Sequence, residues 1–240
     1  MIGRIIWALA LLGVAAFTAA LQLDRQSALA PELAPLVPAP VRNYAQAKLA
    51  AEALKGDDPQ AALAATEELV HRRPMPAEHL TLLAVAQAKT DEAEAAAFTI
   101  QMAARRGWRD PVAQEAVLRL ALQAGDKAEA ARRYAALFRR QAAPDKLLVT
   151  LAPQVLGEPN GAGQQTFAQI VAGAPAWYEM FLQRGAQVMP PATFGEVLGL
   201  ALERGGLFEC EPLKQSIAAL ATRDAAAAAK LEGPAARRCR

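Results

Sequence analysis

Aromatic side chains are scarce in this 240-residue chain: phenylalanine, tryptophan and tyrosine together make up 5% of it, although 53% of the residues are hydrophobic. Alanine supplies much of the difference. Sheets draw on β-branched and aromatic residues, whereas alanine is the strongest helix former and lets helices approach closely, so the composition implies an all-α body. Residues suited to chemistry are few as well. The two histidines are His71 and His79 and the two serines are Ser27 and Ser216, and no serine stands near a histidine or in a nucleophile-elbow setting. No HExxH, Walker lysine loop, GxGxxG or EF-hand loop occurs. We therefore assign no catalytic, cofactor-binding or metal-ligating residue and expect a protein that is not an enzyme. A net charge of +2 gives no footing for a nucleic-acid binder.

Cysteine is limited to Cys210 and Cys239, and neither belongs to a CxxC or CxxCH element. Thioredoxin-like redox chemistry and covalent haem attachment thus lose their sequence support. In an oxidising compartment the two could close a loop that pins the C-terminal tail to the body; the alternative is a pair of free thiols.

What the chain does have is one long uncharged run, Ile5 to Leu23, about the ~20 residues that a helix needs to cross a hydrocarbon core. Residues 1–23 are read as a retained anchor, or as a secretory signal cut near Thr18-Ala19-Ala20. Both readings export the body. Arg4 before the run favours an N-in orientation, which in a Gram-negative cell means a single inner-membrane pass with a periplasmic body. Pro31, Pro35, Pro38 and Pro40 then make residues 24–40 read as an extended tether.

Beyond the tether a motif recurs. Lys55-Gly56-Asp57, Lys89-Thr90-Asp91 and Ala124-Gly125-Asp126 each precede an alanine-rich stretch, and the turn positions 56, 90 and 125 are separated by 34 and then 35 residues. Leu49, Leu83 and Leu118 keep that step before the turns, and Ala61, Ala95 and Ala130 keep it after them. The pattern predicts three helical hairpins over residues 41–143, followed by a divergent helical section over 144–240. The repeat resembles the tetratricopeptide (TPR) family. It departs from that family in lacking the first-helix tryptophan and tyrosine, while Phe98 and Tyr134 or Phe138 partly supply the second-helix aromatic. The resemblance implies a right-handed α-solenoid, here preceded by one transmembrane helix, that binds proteins and does no chemistry.

The whole layout, with Gly125-Asp126 to Ala130 and Pro175-Ala176-Trp177-Tyr178, looks like the membrane-anchored TPR proteins of alphaproteobacteria. That likeness implies a scaffold for a cell-envelope assembly, some relatives being associated with polysaccharide pathways. An assembly chaperone for cytochrome maturation or secretion, and a glycan-modifying enzyme, are the other readings.

Charges repeat with the hairpins. Arg72 and Arg73, Arg105 and Arg106, and Arg139 and Arg140 close the three second helices, and Trp108 follows the second pair. Cations at the last turn complement the helix dipole, as Asp57, Asp58, Asp91, Glu92 and Asp126 do at the starts. The same arginines would form a basic edge for a protein partner, an anionic glycan or a lipid headgroup. For Trp177 and Phe181 we weigh a groove-lining role against simple core packing.

Overall fold

The computed structural model of the chain describes residues 2–139, 143–174 and 177–238. Among these, every regular element is helical and none is a strand. Contacts divide the chain into two compact units, Met1–Gly107 and Trp108–Arg240.

The first unit opens with α1 (Ile2–Gln26) and continues through α2 (Tyr44–Ala53), α3 (Pro59–Arg72), α4 (Ala77–Lys89) and α5 (Ala93–Arg106), with α2 packed on α3, α3 on α4 and α4 on α5. Local chemistry sets the ends. Asp58 caps α3 by accepting the Gln60 and Ala61 N–H groups at 3.0 Å, and Pro59 fills the first helical position, where no N–H is needed. After α4 the chain turns on Asp91, which is left-handed at φ 63°, and the Glu92 N–H reaches back to the Gln87 carbonyl at 2.9 Å.

Between α1 and α2 the expected extended tether is absent. Residues Pro31–Leu36 and Ala39–Val41 form two 3₁₀ turns, and Ala34 and Val37 are buried with Ala45 against Leu23, Val41 and Leu49. Proline fixes φ near the value that 3₁₀ geometry requires, and short apolar residues between the prolines give the segment something to bury.

The second unit holds α6 (Pro111–Gln123), α7 (Lys127–Arg139), α8 (Asp145–Leu156) and α9 (Ala162–Ala172). It continues with α10 (Tyr178–Met180), a π-helical turn over Phe181–Gly185, α11 (Ala186–Val188), α12 (Pro191–Glu203), α13 (Cys210–Ala221), α14 (Ala225–Ala229) and α15 (Glu232–Arg238). One hydrophobic cluster runs from Leu118 to Ala235 and contains Tyr134, Phe138, Phe167, Trp177, Phe181, Phe194 and Phe208. Trp177 and Phe181 are thus core residues. Residue 143 is no boundary of packing, because α6 and α7 share this core with the elements that follow. The divergent section contains most of the large buried rings among the described residues, for example Phe167 and Phe181 with centroids 6.1 Å apart.

The repeat register also needs a correction. The left-handed residue that answers Gly125 (φ 74°) is Asp91, one position after Thr90. A β-branched threonine resists that conformation, whereas the short polar side chain of aspartate tolerates it. Buried positions accordingly step by 34 residues throughout: Ala50, Ala84 and Leu118 in the first helices, Ala62, Ala96 and Ala130 in the second. Leu49 and Leu83 are only half-buried, Ala61 is exposed and Ala95 half-exposed. Phe98, at 68% exposure, fills no core position.

Both serines bond backbone carbonyls, Ser27 to Asp24 at 2.6 Å and Ser216 to Leu182 in the π-helical turn at 3.1 Å. Cys210 is disulfide-bonded, and Cys239, the other cysteine, lies outside the described residues.

Tyr134 gives the second unit a pH signature. Burial pushes its phenol well above the ordinary tyrosine range, Arg184 opposes this and Asp145 adds to it. A raised folded value means that stability is complete below the unfolded value, about pH 10, and is lost above it as the unfolded chain releases the proton. Thermal melts followed by circular dichroism should fall off above about pH 10. Tyr134→Phe should flatten that decline while costing about 1 kcal/mol at neutral pH, since its hydroxyl donates to the Leu148 carbonyl at 3.3 Å.

Candidate interaction surface

Three features carry functional information, and the first is α1. It is the one helix among the described residues that is long and apolar enough to cross a membrane, and none of its most apolar window is buried. Its far end is fastened to the fold. Asp24, 3% exposed, accepts the Asn43 and Ala45 N–H groups on Oδ1 at 2.8 and 2.9 Å and the Tyr44 N–H on Oδ2 at 3.2 Å. Those are N–H groups of the first turn of α2, which no intrahelical carbonyl can satisfy, and the helix dipole favours an anion there. One buried carboxylate thereby joins the apolar helix to the first hairpin.

The second feature is the set of helix-ending arginines, whose members differ. In the first unit Arg72 pairs with Glu68 and donates from Nη1 to the Arg42 carbonyl at 3.2 Å. Arg106, 34 residues later, donates from Nη1 to the Pro74 carbonyl at 2.7 Å. Both fasten the end of a second helix to the chain entering the first helix of the same hairpin. Arg73 places its guanidinium 4.5 Å from the centroid of the Tyr44 ring. Arg105 is exposed. Dipole complementation is therefore only part of what these residues do, since Arg72 and Arg106 make specific backbone bonds.

The third feature lies in the second unit. Trp108, 47% exposed, has the Arg109 and Arg139 guanidinium groups 4.9 and 5.6 Å from its ring, and Arg139 also lies 6.0 Å from the Trp177 ring. Arg139 borders an open groove of about 560 Å³ with Asp145, Glu179, Gln183, Arg184 and Gln187. Within it Arg184 is committed: Nε donates to Asp145 Oδ1 at 2.9 Å, Nη2 to the Ala143 carbonyl at 2.7 Å and Nη1 to the Phe138 carbonyl. Arg132 and Arg133 both pair with Glu129. Partial burial pushes the Glu129 carboxyl up, but the two guanidinium groups together outweigh this and hold it below the ordinary range. Arg139 and Trp108 are thus brought together as an exposed cation and an exposed ring, and Arg140 lies outside the described residues.

A second groove, of about 460 Å³, has Glu196, Glu203, Asp224 and Lys230 around Gly195 and Gly199. Among the described residues no three of His, Cys, Asp and Glu converge as a cation site. Sequence reasoning overlooked the roles of Asp24, Arg42 and Arg184, which depend on contacts 19 to 46 residues away. No family model, curated protein or solved structure matches the chain.

Proposed function

We propose that this chain is a membrane-anchored helical-repeat scaffold, in which TPR-like hairpins of an α-solenoid hold a protein partner and α1 keeps that partner at the membrane. The supporting observation is the constant 34-residue step of buried positions through three hairpins, on a chain whose first helix is exposed, apolar and locked to the first hairpin. Repeats of that length bury their faces by stacking and present a continuous surface to a ligand. The Arg4 asymmetry favours a body on the far side of the inner membrane, the periplasm of a Gram-negative cell. A component of a cell-envelope assembly is the partner class we favour, with anionic groups as the chemistry the surface prefers.

The arginines that bond backbone carbonyls belong to the fold, so the contact residues are assigned to Arg139 and Trp108 in the second unit and, separately, to Arg105 in the first. Reversing Arg105 and Arg139 to glutamate leaves those backbone bonds intact. In-cell crosslinking followed by mass spectrometry should recover fewer partners with the double variant, and the wild-type yield should fall as salt is raised. Equal recovery at every salt concentration would remove the basic residues from the binding surface.

A further inference from the structure

We propose that the proline-rich segment Pro31–Val41 is a membrane-interface collar that sits in the lipid headgroup and upper acyl region beside the emerging α1. This rests on reading α1 as a membrane span. The geometry comes from a chain reversal. After Gln26 the chain turns through Ser27 and Leu29, and Ala34 and Val37 then pack against Leu23, in the last apolar turn of α1. The segment therefore runs back beside the end of the span.

What the segment shows to its surroundings fits that place. Leu36 is 65% exposed, and Pro35 and Pro38 are exposed beside it. Leu29, 90% exposed, stands at the apex of the reversal, beyond the end of α1. Between Gln26 and Val41 the sole charged residue is Glu32. Of the charges on either side, Asp24 is buried in its cap, Arg25 is exposed in the last turn of α1, where a cation suits the headgroup layer, and Arg42 folds back, Nε donating to the Val37 carbonyl at 2.7 Å and Nη2 toward the Pro35 carbonyl at 3.5 Å.

The backbone argues the same way. Irregular chain is costly near hydrocarbon because each unbonded N–H or C=O loses its water. Four prolines here carry no N–H at all. The Leu33, Val37 and Val41 N–H groups bond the carbonyls three residues earlier, at 3.0, 3.3 and 3.0 Å. A segment with apolar side chains, few free donors and one charge is matched to a bilayer interface, where amphipathic elements insert by about 5–10 Å.

The test uses the full chain in vesicles of phosphatidylcholine and phosphatidylglycerol that carry nitroxide lipids, with a polarity-sensitive fluorophore on a cysteine introduced at Leu36, Leu29, Trp7 or Met75. All four positions are exposed, and circular dichroism checks that each variant keeps its helicity. Emission from the Leu36→Cys label should shift to the blue and lose about half its intensity to a shallow nitroxide, as expected for insertion of that depth. The Trp7→Cys label should respond more to a deep nitroxide, Leu29→Cys should respond less than Leu36→Cys, and Met75→Cys should not respond. If Leu36→Cys behaves like Met75→Cys while Trp7→Cys is quenched, the collar is overturned and the anchor stands. If Trp7→Cys is unquenched too, both fall.

Discussion

Asp24→Ala is expected to lower the unfolding free energy of the first unit by about 3 kcal/mol and to uncouple α1 from the hairpins. A single cap is worth about 0.5–2 kcal/mol, and here one buried carboxylate serves three backbone donors that would be left without acceptors. Asp24→Asn keeps one acceptor oxygen and should recover about half of the loss, since the charge-assisted part is gone. Urea unfolding in detergent micelles reads the first effect. Amide exchange at Asn43, Tyr44 and Ala45 reads the second, because those N–H groups should lose protection before the rest of α2. An unchanged midpoint together with unchanged exchange would mean that the carboxylate is not what joins the two elements. For the scaffold, the variant turns a fixed mount into a swivel: capture of a partner should persist while its orientation to the membrane is lost.

Arg184→Ala should destabilise the second unit by about 4 kcal/mol, the largest effect we expect from a polar residue. The guanidinium donates to the carbonyls of Phe138 and Ala143, which are buried residues, and pairs with Asp145 while its cationic carbon lies 5.7 Å from the Phe138 ring. Truncation leaves two carbonyls near the core without donors, at about 1–3 kcal/mol each, and removes the ion pair. Lysine keeps the charge but not the planar fork, so Arg184→Lys should restore less than half of the stability. Denaturant titration of both variants is sufficient. A loss below about 1 kcal/mol for alanine would place the arginine among ordinary surface ion pairs.

The limits of the sequence can be traced to individual residues. The hairpins were legible because alanine content, proline at helix starts and acidic caps repeat along the chain; Asp58 and Asp126 do cap α3 and α7, the latter by accepting the Glu129 N–H at 2.8 Å. Phase was harder to read. A turn motif locates a left-handed residue only to within one position, so Asp91 was hidden behind Thr90, and one residue turns a helix face by about 100°. The folded proline segment is not legible in the sequence, because prolines do forbid regular α-helix, while 3₁₀ turns and packing against Leu23 depend on a reversal that leaves no local signal. Arginine identity showed a periodic edge, but the separation of Arg72 and Arg106, which bond backbone, from Arg105 and Arg139, which stay exposed, is set by carbonyls elsewhere in the fold.

The two units differ in what fills their seams. In the first, alanines such as Ala45, Ala50, Ala62, Ala86 and Ala103 are nearly inaccessible, and the largest fully buried side chain is Leu69; in the second, five phenylalanines and Tyr134 are fully enclosed. Mutational tolerance should therefore run in opposite directions along one chain. Between closely spaced alanines a larger side chain has nowhere to go and must push two backbones apart, so the first unit is vulnerable to growth. Around the ring cluster it is shrinkage that harms, because removing a ring leaves a void that its neighbours cannot close.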